Sequence, residues 1–287
     1  MPSNAWTLIS FTLLAQLTAG AWFLHALLMP YKNDPAREIH SIHKKLYSIL
    51  LPIVLISVVL SFFHLGNPAK AIHALNNLES SWLSREILFV SLLAGFTMIQ
   101  VFLLRKPASG EGLIKAFAYL GAIIAFLLVY SMSEIYMLDA VPAWNSLHTP
   151  LEFFTCSLLL GGFLLLLIYK TASRKLDEIH YSRIRSKIYF LFILLSLLLV
   201  LDLGNAIFHH LIGYDPNALR NPDTSYLPRI MRFVLLIISL SLLVFQFYFF
   251  NLKKRLSGIS GIIAAFIILF IAEILGRFIF YASYVSF

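Results

Sequence analysis

A polar segment between two strongly apolar runs carries the residue types best suited to proton chemistry. It begins with the string His64-Leu65-Gly66-Asn67-Pro68-Ala69-Lys70 and continues to Glu86. An imidazole can accept a proton near neutral pH, and a neighbouring carboxylate can orient the ring or carry the proton to water. Gly66 can end one helix and Pro68 can begin another, so these groups are predicted to lie at one rim of a hydrophobic structure.

The composition predicts that this structure is a membrane protein. Of the 287 residues, 60% are hydrophobic and 13% are charged, whereas about a quarter of a soluble domain is charged. The formal charge of +8 is interpreted as basic cytoplasmic loops rather than as a surface for nucleic acid. The single cysteine, Cys156, cannot form an internal disulfide or ligate an iron–sulfur cluster alone, so any such cluster must belong to another subunit.

Apolar runs of about twenty residues, the length that a helix needs to cross a bilayer, recur along the sequence. They predict an all-α fold, an eight-transmembrane-helix bundle forming a single membrane domain over residues 1–287. Residues 67–83 are predicted to be an interfacial segment with a short surface helix. A four-plus-four arrangement is possible, although no internal repeat is evident. The predicted spans are Ala5–Met29, Leu46–His64, Ser84–Leu104, Leu113–Leu138, Pro150–Lys170, Ile184–Leu211, Ile230–Asn251 and Ile259–Tyr281.

The distribution of basic residues predicts how these helices are oriented. The connections after the first, third, fifth and seventh helices hold 16 of the 22 lysines and arginines. Because basic residues accumulate in cytoplasmic loops, both termini and the His64 segment are expected outside, in the periplasm of a Gram-negative host. Residues 1–6 contain no lysine or arginine, so the first helix is expected to be retained rather than cleaved as a signal peptide.

Ionisable residues within the predicted spans are concentrated in the outer half of the membrane. Such side chains are costly in lipid and tend to face a cavity or one another, so they predict a functional outer cavity. Taken singly, some have structural explanations: Glu86 and Glu152 lie at helix starts, where the helix dipole favours carboxylates, and Glu273 and Arg277, four residues apart, are expected to form a structural pair. The inner half contains only His25, interpreted as interfacial. The principal outer residues are Glu86, Glu134, Glu152, Asp202, Glu273 and Arg277, with Glu134 and Asp202 assigned to a proton path.

This arrangement suits the oxidation of a quinol, which releases two protons with two electrons. His64 is predicted to accept a proton and Glu86 to orient the imidazole or relay the proton, while apolar helices hold the isoprenoid tail. Haem is not expected, because His25 and His64 lie at opposite faces and cannot ligate one iron. A pair formed by His64 with His209 or His210 would place a haem at the very rim.

Three strings resemble the membrane anchor subunit of dimethyl sulfoxide reductase: HLGNPAKAIHALNNLESSWLSREI from His64, AVPAWNSLHTPLEFF from Ala140 and AEILGRFIFY from Ala272. The length and the eight helices agree with that family. The resemblance implies a multi-pass subunit of the bacterial inner membrane that oxidises menaquinol and holds neither haem nor iron–sulfur cluster. It also implies two partners: a ferredoxin-like iron–sulfur subunit and a catalytic subunit carrying molybdopterin.

The resemblance carries the family's quinol-site histidine, glycine and acidic residue onto His64, Gly66 and Glu86. The family usually has arginine where this sequence has Lys70, which keeps the charge but lacks the planar guanidinium fork. Lys70 is predicted to contact either the quinol head group or the partner subunit. The complete predicted quinone-binding set is His64, Gly66, Lys70, Glu86, Glu273 and Arg277.

The sequence is also compatible with two other functions. A small-solute or proton transporter would use the outer acidic residues, but it would need a path to both faces through helices broken near the midplane. A passive anchor would have no quinone site. The terminal electron acceptor does not follow from these residues.

Overall fold

The computed structural model describes residues 5–29, 36–64, 75–106, 110–141, 144–174, 178–212, 226–251 and 259–282. It confirms the all-α prediction, and each of the eight long helices is long and apolar enough to cross a membrane. The orientation across the membrane stays a prediction. The helices are α1 (Ala5–Leu27), α2 (Ala36–His64), α3 (Trp82–Leu103), α4 (Glu111–Glu134), α5 (His148–Ser173), α6 (Glu178–Ile212), α7 (Tyr226–Asn251) and α8 (Ile259–Ala282).

The helices form two four-helix bundles. In the first half, α1 to α4 pack in a ring in which each helix contacts the next and α4 returns to α1; α5 to α8 form the second half in the same way. Helices α1 and α5 join the halves and are the central helices, since 72% of each span is buried against 22–39% of the others. The four-plus-four arrangement is therefore present.

Helices α1 and α5 approach each other closely because small residues line their crossing. A Cβ atom added to Gly20 would overlap the backbone of Ser157, and one added to Gly161 would overlap the backbone of Ala21. The same crossing is hydrogen-bonded, since the Ser157 hydroxyl donates to the Gln16 carbonyl at 2.9 Å. Only glycine permits this distance between the two backbones.

Some predicted boundaries are wrong. Helix α2 begins at Ala36, ten residues before the predicted Leu46, because apolar runs report only the membrane-embedded part of a longer helix. Helix α4 ends at Glu134 rather than Leu138, and α6 begins at Glu178.

The bundle has two ends. The first end is the one at which α1, α3, α5 and α7 begin, and the opposite end is the second end. The first end is the one predicted to face outward.

The interfacial segment also differs from its prediction. Its described part is a 3₁₀ turn over Leu75–Asn77, so the predicted surface helix does not continue to Leu83. Ser81 instead caps α3, its hydroxyl accepting from the Ser84 amide at 3.3 Å. The Arg85 guanidinium then ties the turn to α3 by donating to the Leu78 carbonyl at 2.8 Å. Residues 65–74, which contain the start of that predicted helix, lie outside the described residues.

Candidate functional site

Among the described residues of the first half, Glu86 is the buried acidic one. It is the fifth residue of α3 and is 4% exposed. Helix α2 ends at His64, and α2 and α3 pack together, so both residues belong to the first end of the bundle. The His64 side chain, and all of Gly66 and Lys70, lie outside the described residues. Their assigned contacts therefore stay predictions.

The surroundings of Glu86 are polar but contain no described cation that pairs with it. The Tyr136 and Tyr281 hydroxyls lie near enough to interact with it electrostatically. Those hydroxyls are 3.3 Å apart, and Tyr281 donates to the Thr12 hydroxyl at 3.5 Å. Burial, more than any neighbour, raises the pKa of Tyr136 well above its usual value, so this hydroxyl stays protonated. Among the described residues, no ion pair neutralises the Glu86 carboxylate.

Aromatic rings pack beside the Glu86 region, where Tyr136 meets α8. Trp144 stacks on Phe280 with 5.3 Å between ring centroids, and its indole donates to the Phe280 carbonyl at 3.0 Å. Tyr136 packs edge-on against both rings. Large aromatic side chains exclude water and hold neighbouring groups rigidly, so this cluster fixes the side of the Glu86 region that faces α8.

Arg277 lies where the two halves meet. Its Nη2 donates to Gln16 Oε1 of α1 at 3.2 Å, and its guanidinium lies 3.7 Å from the Phe153 ring centroid of α5. Its Nε and Nη1 have no hydrogen-bond partner among the described residues. The prediction that Arg277 pairs with Glu273 on the same helix is therefore wrong. The guanidinium contacts residues of α1 and α5 instead.

The second half contains a buried charge cluster around Arg232. One nitrogen, Arg232 Nη2, lies 3.1 Å from Asp202 Oδ1, 3.3 Å from Glu152 Oε1 and 3.9 Å from Glu273 Oε2. The four residues come from four helices, α5 to α8. We call them the Arg232 cluster. Gly276 makes room for it, because a Cβ there would lie 2.7 Å from the Arg232 Cζ.

Arg232 and the pairing role of Glu152 were missed from the sequence. Arg232 lies near the start of the predicted span Ile230–Asn251, and Glu152 near the start of Pro150–Lys170, where a carboxylate needs no buried partner. A usable signal was present, because an arginine inside a predicted span needs a buried acidic partner. Three acidic residues on other helices, at the same end, were available to supply it.

The two residues assigned to a proton path lie in different places. Asp202 belongs to the Arg232 cluster and is 2% exposed. Glu134 ends α4, half-buried beside Tyr130, and is not part of that cluster. One turn beyond Asp202, the Asn205 amide contacts the His148 ring at the start of α5. The structure thus brings only Asp202 to the buried carboxylates of α5 and α8.

The second end is more polar than predicted. His25 is fully buried rather than interfacial, its ring contacting His43 with 4.5 Å between centroids. The Tyr169 hydroxyl lies 3.4 Å from His25 Nδ1, and Tyr47 is also fully buried. Lys170, the last residue of a predicted span, is buried with its ammonium 4.1 Å from the Phe250 ring centroid. Because its stem is apolar, lysine tolerates this position at a helix end.

Neither polar region resembles a metal centre. The described part of the protein has no group of three or more histidine, cysteine, aspartate or glutamate side chains arranged to hold a metal ion. Cys156 is buried and not disulfide-bonded.

Comparison with known proteins identifies the family. The C subunit of anaerobic dimethyl sulfoxide reductase from Haemophilus influenzae is 33% identical over 162 residues, which cover 55% of this protein and 56% of that one. The corresponding C subunit of Escherichia coli is 29% identical over 56% of each sequence, so the match spans about half the length of these two relatives. The YnfH subunit of an Escherichia coli anaerobic dimethyl sulfoxide reductase is 26% identical over 99% of this protein and 96% of its own length.

A family profile also matches the protein. The profile of the DMSO reductase anchor subunit (DmsC) covers residues 2–283, which is nearly the whole sequence. The eight helices long and apolar enough to span a membrane agree with a protein that is held in the lipid. The protein therefore belongs to the DMSO reductase anchor subunit family and is a multi-pass protein of the bacterial inner membrane.

Proposed function

We propose that this protein anchors a dimethyl sulfoxide reductase-like molybdoenzyme complex in the membrane and oxidises menaquinol for it. Electrons pass to a ferredoxin-like iron–sulfur subunit and then to a molybdopterin catalytic subunit, which reduces the terminal acceptor in anaerobic respiration. Membership of the anchor subunit family supports the anchoring role and the two partners. The names of the relatives, each a subunit of an anaerobic dimethyl sulfoxide reductase, support the reductase class.

The observation that carries quinol oxidation is the buried carboxylate of Glu86. A buried carboxylate without a cation is costly unless it gains a proton or accepts a hydrogen bond. Glu86 has no ion pair among the described residues, and it lies at the end of the bundle where α2 finishes at His64. A quinol hydroxyl that donates to Glu86 or to His64 would satisfy this need.

The residues then have distinct roles. His64 accepts a proton from the quinol, and Glu86 orients the imidazole or passes the proton towards water. Gly66 gives the backbone room to turn beside the head group, and Lys70 faces the head group or the partner. Arg277 and the Tyr136 hydroxyl form the wall nearest the second half. For each menaquinol, two electrons leave to the iron–sulfur subunit and two protons leave at the first end.

Substituting His64 and Glu86 in the intact complex tests this proposal. His64→Ala should abolish oxidation of a menaquinol analogue, and Glu86→Gln should slow it by about 100-fold, the scale of general acid–base catalysis. Glu111→Gln is the matched control, since Glu111 is an exposed carboxylate at the second end. Full turnover by the assembled His64→Ala complex would disprove the proposal.

The same preparation separates the alternatives. A passive anchor would leave purified complex without bound menaquinone and with turnover that is insensitive to both substitutions. A transporter would move solute or protons across vesicles without the partner subunits. The proposal expects menaquinone in the extract and no b-type haem absorbance, because neither haem nor cluster is assigned to this subunit.

A further inference from the structure

The Arg232 cluster is unbalanced in charge. It places three carboxylates around one guanidinium, and the second nearby cation, Arg277, leaves one negative charge in excess. All of these side chains are at least nine-tenths buried. An excess charge in such an environment is costly, and a cluster of this kind normally becomes neutral by binding a proton. One bound proton would cancel the single excess negative charge.

The position of that proton follows from Asp202 and Glu273. Their carboxyl groups share one partner, since Arg232 Nη2 lies 3.1 Å from Asp202 Oδ1 and 3.9 Å from Glu273 Oε2, and both groups are acceptors when ionised. Asp202 Oδ2 and Glu273 Oε1 are the buried oxygens of the cluster that lack a hydrogen-bond donor among the described residues. Two carboxyl groups that share one guanidinium nitrogen cannot both be ionised at low energetic cost, and a bound proton supplies the donor that these oxygens lack.

The other neighbours of the pair do not remove the need for this proton. Arg232 already directs Nη2 at three carboxylates, and its Nε has no partner among the described residues. Cys156 reaches Glu273 from α5 with only a thiol, which is a weak donor. Arg277 is engaged by Gln16 of α1 and by the Phe153 ring.

We propose that Asp202 and Glu273 share one exchangeable proton and that this pair receives protons from the quinol site. The transfer of protons from the quinol site to this pair rests on the proposed function. Glu273, Arg277 and Tyr281 follow one another at four-residue spacing and therefore form a polar stripe along one face of α8. One end of the stripe, Tyr281, is near Glu86, and the other end lies in the Arg232 cluster.

A route from the pair to the first end is also built into the second half. Asn205 lies three residues after Asp202 on α6 and contacts His148. His148 lies one turn before Glu152 on α5 and is partly exposed, so polar groups continue from the buried pair towards the surface. A proton shared by the pair can exchange with water at the end where the quinol protons are released.

Infrared difference spectroscopy of the purified complex tests the shared proton without turnover. A carbonyl band of a protonated carboxyl group, sensitive to exchange into heavy water, is expected in the parent and should be lost in Asp202→Asn or Glu273→Gln. The band should persist in Glu111→Gln. A spectrum that Asp202→Asn and Glu273→Gln leave unchanged would overturn the proposal, because no carboxyl band would then belong to this pair.

Proton release tests the link to the quinol site. In vesicles containing the complex, a pH-sensitive dye outside the membrane is followed together with oxidation of a menaquinol analogue. Glu273→Gln should delay proton release by about tenfold relative to electron transfer, and Glu273→Asp should restore it. Unchanged release in Glu273→Gln would overturn the link. If Glu273→Gln does not assemble, Asp202→Asn provides the same measurement.

The two proposals fail in different ways. Full turnover in the assembled His64→Ala complex would refute the quinol site but leave the infrared result standing. If both carboxyl variants keep the shared-proton band, the proton pair is refuted, whatever the effect of His64→Ala on turnover.

Discussion

The two halves of the bundle share an architecture but treat buried charge in opposite ways. The first half holds Glu86 without an ion-pair partner among the described residues, whereas the second half surrounds Arg232 with three carboxylates. A cation shared by several carboxylates stabilises its own surroundings, whereas a carboxylate without a cation is available to a ligand. The contrast therefore supports the proposal that the ligand binds in the first half, whereas the charges of the second half are held mainly by one another.

The largest effect is expected where the halves meet. Gly161→Ala would drive a methyl group into the backbone of Ala21, which cannot move aside as a flexible side chain could. The two bundles would separate at α1 and α5, so we expect little or no folded protein after detergent extraction. Gly95→Ala is the control, because a Cβ there meets nothing within 4 Å. Normal yield and melting temperature for Gly161→Ala would show that the crossing is looser than described.

Removing the cation of the second half should have the next largest effect. Arg232→Met would leave Glu152, Asp202 and Glu273 without their shared partner. Breaking a buried ion pair in this way costs about 3–5 kcal/mol of unfolding free energy. Chemical denaturation in detergent measures it, with the half-buried Arg229→Met on the preceding turn as control. Equal stability of the two variants would mean that the cluster does not hold the second half together.

A smaller effect is expected from crowding the same guanidinium without removing it. Gly276→Ala places a methyl carbon 2.7 Å from the Arg232 Cζ, so the side chain must shift against its carboxylates. We expect a loss of about 1–3 kcal/mol in unfolding free energy, typical of an overpacked core. Gly204→Ala on α6 faces open space and should change little. A Gly276→Ala protein as stable as Gly204→Ala would contradict this packing.

The smallest stability effect should come from Glu86, despite its large expected effect on turnover. Glu86→Gln removes a buried charge without stranding a described cation, so the unfolding free energy should change by less than about 1 kcal/mol. Thermal unfolding and menaquinol oxidation measured on one preparation separate the two effects. Destabilisation as large as that of Arg232→Met would reveal a structural partner for Glu86 and remove the contrast between the halves.

The sequence predicts the membrane-embedded part of the fold well because apolar run length is set by bilayer thickness. It does not predict the α1–α5 crossing, since Gly20 and Gly161 look no different in the sequence from Gly95. Helix α2 extends to Ala36 beyond its apolar run, where hydropathy gives no signal.

The candidate site, like the fold, is predicted from the sequence only in part. The concentration of ionisable residues at one end is visible in the sequence, as are Glu86 and Asp202. The pairing is not, because local spacing favours Glu273 with Arg277, whereas contacts from α1, α5 and α7 decide the actual partners. Which residues pair is a property of four helices packed together, and no single helix encodes it.

The central position of α1 has a consequence for how the protein is made. Helix α1 is the least hydrophobic of the eight spans, and Gln16 finds its hydrogen-bonding partners on α5 and α8. At about 5–20 residues per second, roughly 7–27 s of translation separate Gln16 from Phe153. During that interval the amide is in a newly inserted helix without its later neighbours. A nascent polypeptide halted before α5 should therefore hold α1 weakly in lipid and be degraded faster than one halted after it.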